Sequence, residues 1–259
     1  MRPFDFTRAI VRAPGASVVR GLRAGGQDDP TYEGVLAEHA AYGTALEASG
    51  VAVELLPALE DFPDSVFVED PALVFSEGAI LLRPGAPSRI GEAETLAPIL
   101  GDRFDRLLRV EQGHADGGDI LATPGMVHIG LSARTDRAGA EQLGHLLAAL
   151  GRASRIVQPP AGTLHLKTGC TLVDEETILA TRAIAASMLF ADFRILIVPE
   201  GEEAAANALR VNDVVLAGGG FPRTIDLLDR HGLRVVPLAT GEIGRIDAGL
   251  SCMSLRWYG

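Results

Sequence analysis

Cys252, in AGLSCMSLRW behind Asp247, Ala248 and Gly249, reads as part of a C-terminal strand. A cysteine in a strand is more often inert packing than a nucleophile, so its surroundings decide. Cys170, in TGCTLVD, reads as the entrance of another strand and is taken as structural. His165 lies in GTLHLKTGC, flanked by Leu164 and Leu166 and just ahead of that strand. His39, His114, His128, His145 and His231 have no polar setting that singles them out. A thiol and an imidazole far apart in sequence but close in space make a nucleophile and its proton-transfer partner. Cys252 and His165 could form such a pair.

The acids are placed unusually. FPDSVFVEDPALVF carries Asp64, Glu69 and Asp70 through an apolar run, and ADGGDILAT sets Asp116 and Asp119 beside paired glycines. A charge in such a run must be paired or hydrogen-bonded, because desolvating it bare is costly. Asp116 and Asp119 read equally well as turn carboxylates capping backbone N–H groups. Glu69 and Asp70, between Val68 and Pro71, suit a guanidinium, whose planar fork of donors meets carboxylates bidentately. Arg89 follows the turn in RPGAPS, and Arg134 sits in GLSARTD. Solvent exposure is the ordinary reading of both, yet their like positions make a carboxylate clamp conceivable.

The elements that must position these groups repeat. Two short β-rich runs joined by a tight turn are followed by a helix, a glycine or turn, and an apolar strand. The pattern is clearest over Gly118–Pro159, with DILAT and MVHIG around Pro124–Gly125, a helix from about Asp136 to Leu150, then Gly151 and SRIVQP. Leu143, Leu146, Leu147 and Leu150 fall on one face of that helix. PALVF, AILLR, GEAETLAPIL and RLLRV form a block upstream. CTLVD, TILAT, a helix near Ala183–Leu189 and RILIVP form one downstream; NALRV, DVVLAGG, a helix over Pro222–Arg230 and LRVVPL form the next. The period is roughly 45 residues. The C-terminal LSCMSLRW lacks partners that the N-terminal FTRAIVRA, a helix over Tyr32–Ala48, Gly50 and VAVELLP supply. The expectation is one α/β domain, residues 1–259, of five ββαβ blocks around an axis. The chain termini would close the circle and remove its edge strands. An ordinary open α/β sheet is the rival.

Composition excludes several classes. A net charge of −11 disfavours nucleic acid and anionic membranes, which attract clustered Lys and Arg, and suits a small cationic substrate. No apolar run approaches a membrane span, and MRPFDFTRAIVRAP has no apolar core of a secretory leader. Two cysteines in a chain this long need no disulfide, so a reducing, cytoplasmic setting is expected. Gly218–Gly219–Gly220 lacks a phosphate-loop pattern, and no metal-ligand spacing occurs, so no cofactor and no metal are expected.

Together FPDSVFVEDPA, RPGAPSRIGE, DGGDIL, GLSART, LHLKTG and DAGLSCMSLR resemble the dimethylarginine dimethylaminohydrolases of the pentein, or arginine-deiminase-like, superfamily. The motifs recur in family order along nearly the whole chain. The resemblance implies a five-bladed α/β propeller and a hydrolase that turns Nω-methylated L-arginine into L-citrulline and methylamine or dimethylamine. It implies Cys252 as nucleophile, His165 as general acid and base, and Asp116, which some bacterial relatives replace by Glu, as their orienting acid. Glu69 and Asp70 would bind the guanidinium. Asp64, Arg89 and Arg134, with the carbonyls of Leu22 and Ile246, would hold the amino-acid end; the two arginines favour a substrate with an α-carboxylate over agmatine. An arginine deiminase, an amidinotransferase and a non-catalytic propeller are the rival functions. A homodimer is carried as an expectation, and a lid would lie in the glycine-rich stretch Gly21–Gly26.

Overall fold

The computed structural model describes residues 2–23 and 28–259, so part of the candidate lid stretch lies outside the described residues. The chain opens with β1 (Arg8–Arg12), α1 (Tyr32–Ala48) and β2 (Ala52–Leu56). Three complete blocks follow: β3 (Ala72–Phe75), β4 (Gly78–Leu81), α2 (Glu92–Gly101) and β5 (Leu107–Arg109); β6 (Ile120–Thr123), β7 (Met126–Gly130), α3 (Arg137–Ala149) and β8 (Ser154–Val157); β9 (Cys170–Leu172), β10 (Thr177–Ala180), α4 (Arg182–Ala186) and β11 (Arg194–Ile197). A fourth complete block is β12 (Leu209–Val211), β13 (Val214–Gly218), α5 (Pro222–Arg230) and β14 (Arg234–Leu238), before a short α6 (Gly241–Gly244) and β15 (Leu255–Trp257).

Each block is a three-stranded sheet with one rule: the middle strand runs antiparallel to the first and parallel to the third. The fifth sheet, in order β15-β1-β2, keeps that rule with strands from both ends of the chain. Local signals place the helices. Thr31 and Asp136 cap α1 and α3 by accepting from the backbone N–H of Gly34 and Gly139. Gly50 and Gly151, just past those helices, take φ of 85° and 77°, where a side chain would be strained. The helix expected near Ala183–Leu189 is shorter, the five-residue α4, and ends before Ser187.

The ring closes differently from the expectation of a circle without edges. The five sheets are separate, so each keeps its own edge strands. What joins the blades is apolar packing, with a few loop hydrogen bonds such as that from the Ala115 N–H to the Arg83 carbonyl at 3.0 Å. Ala72, Val74, Ala79 and Leu81 face one side of the second sheet, into a core shared with Ile10, Leu255 and Trp257 of the first. Leu73 and Ile80, the alternate residues, face the other side, into a core shared with Ile129 and Leu143 of the third. The period-two alternation of strand side chains thus feeds two cores from one sheet. Five such cores run around the ring, and the one between the last blade and the first packs Val211 and Leu216 against Val11 and Leu46. Burying both faces explains why the strands read as unbroken apolar runs. Each fully buried leucine or isoleucine contributes roughly 1.5–3 kcal/mol, which distributes ring closure over all five seams.

Candidate active site

All five inner strands (β3, β6, β9, β12 and β15) begin at the same end of the axis, and the loops that enter them carry the candidate chemistry. Glu69 and Asp70 precede β3, Asp116 precedes β6, His165 precedes β9 and Cys252 precedes β15. The middle strands run the opposite way, so Arg89 after β4 and Arg134 after β7 return to that end.

Asp116 and His165 meet here. Asp116 is fully buried, and its Oδ1 lies 3.5 Å from His165 Nε2. Its backbone N–H donates to Thr135 Oγ1 at 3.0 Å, and Oδ1 accepts from the Gly118 N–H at 3.0 Å. Asp119, also fully buried, ties three segments together. Its Oδ2 accepts from the hydroxyls of Ser132 at 2.6 Å and Thr135 at 2.7 Å, and its Oδ1 from the Leu166 N–H at 2.9 Å. The paired glycines are spacing devices. A Cβ on Gly117 would lie 1.9 Å from the Glu69 carbonyl oxygen, and one on Gly118 would lie 2.7 Å from His165 Nδ1. Burial by itself would lower the His165 pKa, but Asp116, Asp70 and Asp119 outweigh it and raise it to about 9. Burial opposes ionisation of Asp116 as well, and His165 overcomes it, holding that carboxyl well below the usual range.

The acid pair divides its partners. Glu69 receives Lys167 Nζ on Oε2 and Arg256 Nη2 on Oε1, each at 2.6 Å. Asp70 pairs with Arg89 Nη1 through Oδ2, while its buried Oδ1 has no partner among the described residues. Burial and the Asp116 charge push the Asp70 carboxyl up to about 7 despite Arg89. Arg89 is not the solvated arginine of the ordinary reading. It is 3% exposed, its Nε donates to Glu92 at 3.0 Å, and its Nη2 donates to the carbonyls of Phe67 at 3.0 Å and Asp64 at 3.2 Å.

Cys252 lies in a 3-10 turn over Leu250–Met253, ahead of β15, and not within the strand as the sequence suggests. The turn is held from two sides. The Glu69 N–H donates to the Cys252 carbonyl at 3.1 Å, and the Ser251 N–H donates to Asn207 Oδ1 at 3.1 Å. Asn207 Nδ2 stands 4.0 Å from the sulfur. Gly249 lets that amide approach, since a Cβ there would lie 2.3 Å from it. Burial first, then the charges of Asp70 and Glu69, push the Cys252 thiol up to about 12.

Leu22, Asp64 and Ile246 form a second group. The Leu22 N–H donates to Asp64 Oδ1 at 2.9 Å. A Cβ on Gly21 would touch both Asp64 Oδ1, at 3.1 Å, and Ile246 Cγ2, at 3.5 Å. Arg134 is half-buried, and among the described residues its guanidinium has no hydrogen bond or ion pair. Among the same residues no group of three or more His, Cys, Asp or Glu is arranged to hold a metal.

Sequence reasoning left out Lys167, Asn207, Glu92 and Arg256. Lys167 sits in the LHLKTG motif and Arg256 ends DAGLSCMSLR, so both were in view without a partner to assign. Glu92 ends RPGAPSRIGE and was in view in the same way, whereas Asn207 carries no local signal at all.

A thiol, an imidazole–carboxylate pair and two buried acids at one end of a five-bladed α/β propeller define a pentein-type site. A family model described as arginine deiminase matches residues 55–217. The N(G),N(G)-dimethylarginine dimethylaminohydrolase of Pseudomonas aeruginosa is 41% identical over 97% of this chain and 100% of its own length. That of Streptomyces coelicolor is 34% identical over 96% of each. A solved structure of the Pseudomonas aeruginosa protein, mutated and complexed with citrulline, matches with a TM-score of 0.95 and 40% identity, covering 98% of this chain and 100% of that one. The chain belongs to the arginine deiminase family and, within it, to the dimethylarginine dimethylaminohydrolases.

Proposed function

We propose that this chain hydrolyses Nω-methylated L-arginine, mono- or asymmetrically dimethylated, to L-citrulline and methylamine or dimethylamine. The observation that carries the reading is the buried thiol of Cys252 beside the Glu69–Asp70 acid pair. A guanidinium is the ligand whose charge such acids neutralise, and Cys252 supplies the nucleophile there. The citrulline held by the Pseudomonas aeruginosa protein agrees with this product.

The reaction proceeds in two halves. The free site holds a neutral thiol, pushed up to about 12, and an imidazolium at His165, raised to about 9. A thiol at that value is ionised in roughly one molecule in 10⁵ at pH 7. Substrate changes this, because a guanidinium between the acids and the sulfur cancels the charges that disfavour the thiolate, and the thiol releases its proton to solvent. The thiolate attacks the guanidinium carbon, and the imidazolium of His165 gives its proton to the departing amine. A thiouronium remains on sulfur. Water then attacks the same carbon, neutral His165 takes its proton, the C–S bond breaks, and citrulline leaves with the thiol restored. Asp116 orients His165 and stabilises its cation. Asp119, through the Leu166 N–H, is a positioning residue for the same ring.

At the amino-acid end, Arg134, whose guanidinium has no partner among the described residues, and Arg89, with one Nη1 hydrogen uncommitted among them, take the α-carboxylate. Asp64 and the carbonyls of Leu22 and Ile246 take the ammonium. The whole chain acts as one catalytic domain in the cytoplasm, as a homodimer that sedimentation would detect. Among the described residues no helix is long and apolar enough to cross a membrane.

The test is product analysis. Intact protein and Cys252→Ser are each given arginine, monomethylarginine, asymmetric dimethylarginine and agmatine, and products are read by mass spectrometry. Citrulline with a methylamine, made only by the intact protein, is expected. Citrulline from unmethylated arginine alone would assign a deiminase, and a new guanidino product on adding glycine or lysine would assign an amidinotransferase.

A further inference from the structure

The axis holds a cavity of about 430 Å³ at the end opposite the catalytic loops. That is within the range of small-molecule sites, ~300–1,000 Å³. Its mouth is formed by the exposed strand turns, with Glu77, Gly125 and Tyr258, and its floor by buried Glu69, Lys167 and Ser254. Leu73, Leu121 and Leu209, from three inner strands, also line it, with most of each side chain packed into the cores between blades.

The charge lining it is the reverse of the chain's. Five cationic side chains, Arg2, Arg152, Lys167, Arg210 and Arg256, face three carboxylates, Asp5, Glu69 and Glu77. The cavity therefore has a surplus of two positive charges in a chain of net charge −11. A concave, low-dielectric wall concentrates such a field. Most of these cations are spoken for: Arg2 pairs with Asp5, Arg152 with Glu77, and Lys167 and Arg256 share Glu69. Arg210 is the exception. Its Nε donates to the Asn212 carbonyl at 2.7 Å and its guanidinium lies 5.2 Å over Phe4, but it has no ion pair among the described residues.

We infer that this cavity is a binding site for a small organic anion, a monocarboxylate with an apolar body. The carboxylate is taken by the two Nη groups of Arg210. The body lies along the inner-strand leucines toward Trp257, which also lines the cavity. The site is separate from the thiol, on the far side of the Glu69–Lys167–Arg256 cluster, and its occupancy does not depend on the reaction proposed above.

Trp257 is the only tryptophan, so its emission reports on this cavity. Full-length protein is titrated with hexanoate, and with hexylamine and hexanol as probes of the same length. A saturable emission change with hexanoate alone is expected. Arg210→Gln weakens it roughly ten-fold, as expected on losing a charge partner. Glu77→Gln, which raises the surplus on an exposed turn, strengthens it several-fold. Circular dichroism confirms that both variants fold. No saturable change with hexanoate, equal binding of hexylamine or hexanol, or an affinity untouched by both substitutions would each overturn the inference.

Discussion

The first and fourth blades each present a cysteine where the inner strand begins, and burial leads in pushing both thiols up to about 12. Cys170 is the first residue of β9, fully buried, and donates its S–H to the Leu166 carbonyl at 3.4 Å. The charge of nearby Lys167 opposes burial and lowers the thiol pKa without reversing the shift. Cys252 stands three residues ahead of β15, on a turn held by Glu69 and Asn207, with Asp70 and Glu69 adding to the burial. A high thiol pKa therefore does not tell a nucleophile from a packed side chain. The distinction lies in what raises it: at Cys252 Asp70 and Glu69 add to burial, and in the proposed reaction a bound cation would neutralise them, whereas at Cys170 burial is the one raising cause.

The largest expected effect separates the two thiols outright. Cys252→Ser should lower kcat by ~10⁴-fold or more, whereas Cys170→Ser should keep it within about three-fold. Steady-state kinetics on both variants checks this, and comparable losses would erase the comparison.

Next is the ring that serves only one of them. Gly118→Ala pushes a methyl into His165 and should cost about 10²-fold in kcat, since displacements of about 1 Å suffice for that. Unchanged melting of Gly118→Ala would show that the loss is one of geometry.

The pH dependence follows from the same pair. His165 is raised in the folded state, so the stabilisation from its pairing with Asp116 is complete below about 6.5 and is lost as pH rises through about 9. In Asp116→Asn, which removes the largest of the raising causes, the imidazole should titrate clearly below about 9, with the alkaline limb of stability moving down accordingly. NMR titration of the His165 ring nitrogens reads this directly. An unshifted titration would remove Asp116 as the partner.

Alkylation tests the cause of the Cys252 value. Iodoacetamide should label Cys252 at a rate that climbs about ten-fold per pH unit between 7 and 10, and an unreactive arginine analogue should speed it at pH 7. Peptide mapping should find Cys170 unlabelled throughout. Identical pH profiles with and without the analogue would sink the idea that substrate generates the thiolate.

The smallest effect is on packing alone. Cys170→Ala should leave kcat unchanged and cost on the order of 1 kcal/mol of stability, by loss of a small buried group. Denaturant unfolding measures it.

Much of the fold was legible because both periodicities are local. The repeat of two strands, helix, glycine and strand shows in spacing such as Leu143, Leu146, Leu147 and Leu150, and in Gly151 at a position only a left-handed backbone fills. The missing strand of LSCMSLRW pointed to the N-terminal block, and β15 does pair with β1. The termini complete the ring as expected, but the edge strands persist, since apolar runs look alike whether their neighbours hydrogen-bond or merely pack. The position of Cys252 was misjudged by three residues, because nothing in SCMS distinguishes a 3-10 turn from the strand it enters. Arg89 was read by default as solvated. Glu92 lies only three residues on, but the burial also needs Asp70 from another loop, 19 residues back, and no spacing rule links that acid to Arg89.

By itself, the sequence determined which groups exist and the order in which the loops deliver them: a thiol, an imidazole, acids beside glycines, and arginines after strand pairs. Only the tertiary structure decided their company. Five inner strands that begin at one end of an axis bring residues 69, 116, 165 and 252 together, and the cores between blades hold them there. The pKa values of Cys252 and His165 follow from that, because burial and charge at a few ångströms act through space and leave no mark in the order of residues.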